Sequence, residues 1–216
     1  MIVDERTVSY IHSLEPEDSP VCMEIAKEAR ASGIPVVRKE TASLLKTLVA
    51  LKRPKQILEV GTAVGYSALL MCQVMPPDCT LTTIEKYEKR IPEAVRNFAR
   101  AGESGRIRLI EGDAAQILAE LAGPYDFIFM DAAKGQYLHF LPQVLRLLPP
   151  GGVLVSDNVL QDGDVIESRY AVTRRNRTIH TRMREYLYRL KHTDGLETAI
   201  VPIGDGVTIS TSTALH

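Results

Sequence analysis

No uninterrupted apolar run in this 216-residue chain approaches membrane-spanning length, which excludes a bilayer-crossing helix. The opening Met1-Ile2-Val3-Asp4-Glu5-Arg6 lacks the basic-then-apolar pattern of a secretory signal. Cysteine is scarce: Cys22, Cys72 and Cys79 are odd in number, scattered, and without CxxC spacing. That excludes a disulfide framework and a cysteine-built zinc site, and predicts buried, reduced thiols in a soluble cytoplasmic protein. There is little excess charge of either sign. A net charge of -1 and a pI near 6.5 give no global sign of a nucleic-acid protein. The GxGxxG fingerprint of nicotinamide enzymes is missing too, which disfavours a dehydrogenase. Internal repeats, low-complexity tracts and linkers are likewise absent, and 45% hydrophobic content suits one sizeable core over residues 1–216.

What is present is alternation. The segments Gln56–Val60, Thr80–Ile84, Ile107–Ile110, Asp126–Met130 and Val153–Ser156 are near-continuously apolar, as strands covered on both faces should be. Helical patterns over Ser67–Val74, Lys86–Arg100, Ala114–Leu121 and Gln136–Leu147 lie between them. This order predicts an α/β fold, a doubly wound and mostly parallel sheet with right-handed crossovers. Glu197–Ile203 and Val207–Thr213, separated by Gly204-Asp205-Gly206, predict a closing antiparallel hairpin. Residues 1–50 carry helical patterns broken at Pro16, Pro20 and Gly33-Ile34-Pro35, and are expected to cover one end of the sheet.

Polar residues gather where these strands end. Ligands of open α/β sheets bind at the carboxyl ends of strands. Asp131 ends one run, and Asp157-Asn158 end another. Two carboxylates and an amide make an oxygen-only set that suits a hard cation. The same residues could instead cap the helices that follow, and both readings stay open on these residues alone. After the first strand comes Glu59-Val60-Gly61-Thr62-Ala63-Val64-Gly65-Tyr66-Ser67, a glycine loop able to approach a ligand closely. Glu85 lies twenty-four residues beyond Gly61, where a carboxylate can accept both hydroxyls of a ribose. Glu111-Gly112-Asp113-Ala114 closes the third strand, where an adenine could lie. Lys134, three residues after Asp131, can face the same pocket within one turn, whereas His139 reads as structural.

Taken in order, the glycine loop, Glu85, Asp113-Ala114, Asp131-Ala132-Ala133-Lys134 and Asp157-Asn158 resemble the class I S-adenosylmethionine-dependent O-methyltransferases, specifically the metal-dependent catechol and caffeoyl-CoA type. The resemblance spans about residues 35–213. It implies a Rossmann-like, seven-stranded sheet with its last strand antiparallel. It implies S-adenosylmethionine held by Val37, Glu59, Gly61, Gly65, Tyr66, Ser67, Glu85, Asp113, Ala114 and Asp131. It also implies Mg²⁺ or Mn²⁺ on Asp131, Asp157 and Asn158, with Lys134 as general base or as stabiliser of the oxyanion. A homodimer is the common assembly of such proteins.

A cation on Asp131, Asp157 and Asn158 would leave positions for two substrate oxygens, so the resemblance implies an acceptor with adjacent oxygens, either a catechol-like phenol or 5-hydroxyuridine with its 4-carbonyl. The run Asp131-Ala132-Ala133-Lys134-Gly135-Gln136-Tyr137 departs from the Asp-Ala-Asp-Lys of plant and small-phenol enzymes. It is similar to a bacterial branch that methylates 5-hydroxyuridine at the wobble position, in the anticodon loop of tRNA. From 169 to 191 there are eight Lys/Arg (169, 174, 175, 177, 182, 184, 189, 191) and one acid, Glu185. Arg174, Arg175, Arg177 and Arg182 are therefore expected to contact tRNA, with Tyr170, Tyr186 and Tyr188 available for stacking. The competing expectation is a solvated helix whose arginines lie over the fold. A non-catalytic RNA-binding module would leave Asp131, Asp157, Asn158 and Lys134 unexplained as a set.

Overall fold

Strands form where the apolar runs predict them. In the computed structural model, which describes residues 3–213, these are β1 (Gln56–Val60), β2 (Thr80–Glu85), β3 (Ile107–Glu111), β4 (Phe127–Met130), β5 (Val153–Ser156), β6 (Leu196–Val201) and β7 (Val207–Ser212). They make one seven-stranded sheet in the order β3-β2-β1-β4-β5-β7-β6. Strands β1 to β5 pair in parallel, and β7 runs antiparallel between β5 and β6. The order reverses beside β1, whose neighbours are β2 and β4. That switch opens a crevice at the carboxyl ends of the strands.

Eight helices flank the sheet among the described residues: α1 (Glu5–Leu14), α2 (Pro20–Ala31), α3 (Lys39–Lys52), α4 (Tyr66–Cys72), α5 (Ile91–Arg100), α6 (Ala114–Glu120), α7 (Tyr137–Leu147) and α8 (Arg177–His192). Alternate strand residues face opposite sides, so the sheet carries two cores. Ile57, Phe127 and Phe129 pack with Ile25, Leu45, Val49 and Leu69 on one side. Leu58, Ile128 and Leu154 pack with Phe140, Val144, Met183 and Leu190 on the other. Helices α2 and α3 therefore share the core on one face of the sheet, while α1, which buries no residue, packs on α3. Ile25 with Ala29 and Leu45 with Val49, each pair four apart, give α2 and α3 buried stripes that require a broad surface.

Three boundaries differ from the sequence pattern for local reasons. Helix α5 starts at Ile91 and not Lys86, because Glu85 takes the backbone N–H groups of Lys86 and Tyr87, and Pro92 is tolerated only in a first turn. Strand β6 stops at Val201, where Pro202 removes the next donor. Helix α7 is preceded by a 3₁₀ turn, Lys134–Gln136. Cys22, Cys72 and Cys79 are all buried and free. No helix among the described residues is long and apolar enough to cross a membrane.

Two buried polar groups tie these elements together. The Tyr137 hydroxyl, fully buried, donates to the carbonyls of Met130 (3.0 Å) and Asp157 (3.1 Å), joining α7 to the ends of β4 and β5. Glu59, on β1, is also fully buried and accepts from Ser67 Oγ and Thr83 Oγ1, each at 2.6 Å. Burial pushes its carboxyl up to about 8.

Tyr137→Phe should cost about 1–2 kcal/mol by removing this shared donor, lowering Tm by a few degrees. Differential scanning calorimetry checks it, and an unchanged Tm would contradict the assigned role. Glu59 adds a pH dependence. Between the ordinary carboxyl range and about 8, only the unfolded chain gives up this proton, so stability falls as pH rises. From about pH 5 to about pH 9, Glu59→Gln should lose less Tm than the native chain. Parallel decline of the two would show that Glu59 does not titrate as described.

Candidate functional site

A cavity of about 490 Å³ fills the crevice at the strand ends. Its volume lies in the range of small-ligand and cofactor sites. The loop after β1 supplies Gly61 and Ala63, the end of β2 supplies Ile84, Glu85 and Lys86, and the turn after β3 supplies Gly112 to Ala115. Asp131 to Ala133 and, from α7, His139 and Phe140 close it. A narrow recess of about 30 Å³ adjoins it, lined among others by Val37, Tyr66 and Ser67. Gly61 and Asp131 border both spaces.

The structure thus brings Glu85, Asp113 and Ala114 into the cavity, and Val37, Tyr66 and Ser67 into the recess. Two expected cofactor residues take other roles. Glu59 is buried beneath the loop, its oxygens already used by Ser67 and Thr83. Gly65 faces Phe98: a Cβ there would meet Phe98 Cε1 at 2.4 Å, so glycine lets α4 pack on α5. Gly61 is constrained differently. It has φ +105, and a Cβ would meet the Asp131 carbonyl oxygen at 2.2 Å, so only glycine lets this loop lie against the end of β4.

Glu85 organises the loop. Its carboxylate accepts backbone N–H groups from Ala63 (2.7 Å), Lys86 (2.9 Å) and Tyr87 (2.8 Å). Asp113 caps α6 through Ala115 N at 2.9 Å, and its bond to Lys86 Nζ at 2.6 Å holds its carboxyl below the usual range. Tyr66 donates its hydroxyl to Asp18 at 3.1 Å, and Asp18 pairs with Lys46 at 2.7 Å. Asp18 sits between two helices in a stretch without any motif, so no sequence signal marked it.

Asp131 and Asp157 follow Met130 and Ser156, which are partners in the β4–β5 ladder, and Asp157 N donates to the Met130 carbonyl at 3.0 Å. The two carboxylates are therefore neighbours. Burial raises both carboxyls above their ordinary range, the charge of Asp131 adds to the rise at Asp157, and Lys134 offsets part of it at both. Neither serves as a helix cap. The Asp131 side chain makes no hydrogen bond among the described residues, and the 3₁₀ turn and α7 have no side-chain cap. Asp157 Oδ1 accepts only from its neighbour, Asn158 N, at 2.7 Å. Asn158 holds a left-handed backbone, φ 58, and reaches Asp205 through Nδ2 at 3.5 Å.

Two crowded carboxylates beside an amide and a single lysine fit a divalent cation in charge and in donor type. No group of three or more His, Cys, Asp or Glu among the described residues forms a self-sufficient metal centre. A set of two carboxylates and one amide would leave positions for exogenous oxygens. Asp205 and Tyr137 are the residues around this set whose roles the sequence reading missed. The first looked like part of a turn, and the second like the end of a motif.

The basic segment is used differently from the expectation. Arg182 Nη1 donates to the Gly135 carbonyl (2.9 Å), Arg184 Nη1 to Val165 (3.1 Å), Arg177 Nε to Val172 (3.3 Å) and Lys191 Nζ to Thr198 (2.6 Å). Arg189 pairs with Glu185 at 2.9 Å. Tyr186 is buried, its hydroxyl 2.6 Å from Ser156 Oγ, and is not available for stacking. Arg169, Arg174 and Arg175 make no side-chain hydrogen bond or ion pair among the described residues, and Tyr170 is exposed.

Known proteins resemble this chain in sequence and in fold. The O-methyltransferase family model matches residues 14–213. A catechol O-methyltransferase of Niastella koreensis is 34% identical over 169 residues, covering 76% of each chain. A caffeoyl-CoA O-methyltransferase of Populus kitakamiensis is 33% identical over 171 residues, covering 76% of this chain and 73% of the relative. Among solved structures, the O-methyltransferase TomG of Streptomyces achromogenes, involved in tomaymycin synthesis and in complex with SAM, superposes with a TM-score of 0.84 at 27% identity, covering 95% of both chains. The Bacillus cereus O-methyltransferase in complex with SAH gives a TM-score of 0.83 at 25% identity, covering 95% of this chain and 96% of that one. The matched residues 14–213 span the elements that line the cleft, the positions of Asp131 and Asp157, and the closing hairpin, and this chain belongs to the O-methyltransferase family.

Proposed function

We propose that this chain methylates one of two adjacent oxygens on a catechol-like phenol, using S-adenosylmethionine and a divalent cation, Mg²⁺ or Mn²⁺. The observation that carries the reading is the shared border at Asp131. That residue lines the cavity and the recess while its carboxylate crowds that of Asp157. A methyl donor and an ionised acceptor would therefore meet at one side chain. The relatives named for catechol and caffeoyl-CoA support this acceptor class.

In this reading Glu85 would accept a ribose hydroxyl on Oε2, the oxygen with a lone pair left free by its backbone contacts, and Ala114 would lie against the adenine. Tyr66 and Ser67 would hold the methionine end, with Val37 at the mouth of the recess. Asp131, Asp157 and Asn158 would hold the cation. When bound, the sulfonium cofactor supplies an electrophilic methyl group and the cation supplies charge that favours an ionised acceptor oxygen. Lys134 Nζ would take the acceptor proton or, remaining charged, face the oxygen that loses it. Fixing both reactants in line is the main contribution of the chain itself.

A second reading, methylation of 5-hydroxyuridine to 5-methoxyuridine at the tRNA wobble position, is favoured by one feature. Arg169, Arg174 and Arg175 lie with exposed Tyr170 on the connection between β5 and α8, and α8 is tied beside Lys134 by Arg182. The segment Asp131 to Tyr137 also resembles that branch. A self-associating assembly is part of the proposal as well. Helix α1 buries no residue of its own and exposes Tyr10 and Leu14. Free, buried thiols accord with a cytoplasmic setting.

Labelled S-adenosylmethionine with Mg²⁺ should deliver label to a catechol panel. Label found only in hypomodified tRNA would replace the phenol with the second reading, and label in neither would remove both. Asp157→Ala should abolish cation-dependent turnover, a loss of at least about a hundredfold, while sparing most cofactor affinity measured by calorimetry. Full activity in that variant, or under a strong chelator, would contradict the cation assignment. Light scattering should find a dimer that Leu14→Asp shifts toward monomer. A native chain that is monomeric at all concentrations would remove the assembly proposal.

A further inference from the structure

An asparagine can offer a cation only its amide oxygen, yet the two ends of the amide have nearly the same shape. Something must decide which end turns toward the site. At Asn158 the neighbour on one side is Asp205, whose Oδ2 lies 3.5 Å from Nδ2. A carboxylate accepts and does not donate, so it favours the amide's nitrogen. At 3.5 Å the bond itself is weak. Selection comes from the alternative, because a flipped amide would set its oxygen against a carboxylate oxygen.

Asp205 is itself paired with a cation. Arg38 Nη2 lies 2.5 Å from its Oδ1, and Asp162 shares that guanidinium at 3.0 Å. The backbone N–H groups of Leu160 and Gln161 both donate to the Asp205 carbonyl, at 2.9 and 3.1 Å, and Val159 N donates to that of Gly206 at 2.9 Å. The β6–β7 turn is therefore seated directly on the chain leaving Asn158. A turn that served only to reverse two strands would not need these contacts.

We infer that Asp205, braced by Arg38, is a positioning residue that fixes the Asn158 amide with its oxygen left free for the cation. The inference rests on the cation reading above. It assigns the Gly204-Asp205-Gly206 turn a part in the site, and it extends that part to the start of α3 through Arg38.

The test is Mn²⁺ binding to the purified protein, read from the loss of the free-ion electron paramagnetic resonance signal. Asp205→Ala should raise the dissociation constant about tenfold, the usual scale for residues that orient a ligand. In an Asn158→Asp background, where no amide needs orienting, Asp205→Ala should cause no such loss. If Asp205→Ala does not fold, the near-isosteric Asp205→Asn in both backgrounds should show the same pattern at smaller size. Equal weakening in both backgrounds would mean that Asp205 acts through its charge alone, and would overturn the inference. So would unchanged affinity in the native background, with Asp157→Ala still abolishing binding to show that the cation reading survives. A native protein that binds no Mn²⁺ would overturn both.

Discussion

Two carboxylates that would each be solvated in an unfolded chain stand side by side at the ends of β4 and β5, shielded from water. Keeping like charges together in a poorly hydrated place is unfavourable unless a proton or a cation intervenes. The surrounding structure is arranged around that pair. Parallel pairing of β4 with β5 sets their separation, Tyr137 fastens both strand ends to α7, and Gly61 brings the loop after β1 against the backbone of Asp131. The pair is the point where the cavity, the recess and Lys134 converge.

Much of this could be read from the residues. Continuous apolar runs placed the strands, because both faces of the sheet are covered and no alternation is left to blur the signal. The strand-end acids were visible because polar residues that terminate buried strands must face something other than the core. Other features were hidden. Glu59 belongs to the same motif as Gly61, but its position in the strand turns it into the core, where Ser67 and Thr83 satisfy it. Asp18 and Asp205 act through partners 48 and 47 residues away, and no local pattern encodes such distances. The stripes of α2 and α3 show in sequence that these helices bury a face without showing against what.

The basic stretch around α8 holds two kinds of cation. Several of its cations bond to backbone carbonyls of the elements beneath, and Tyr186 lies inside the core. Long side chains with apolar stems can cover a fold while their heads close its unpaired carbonyls. Arg169, Arg174 and Arg175, on the connection before the helix with exposed Tyr170, are the cations of this stretch that make no side-chain hydrogen bond or ion pair among the described residues.

The most direct test of the central claim is an anomalous diffraction map from crystals of this protein soaked with Mn²⁺ and S-adenosylhomocysteine. The arrangement predicts one strong peak bounded by the carboxylates of Asp131 and Asp157 and the amide oxygen of Asn158, beside cofactor density in the cavity at Glu85. A peak elsewhere, or no peak with the cofactor bound, would contradict it.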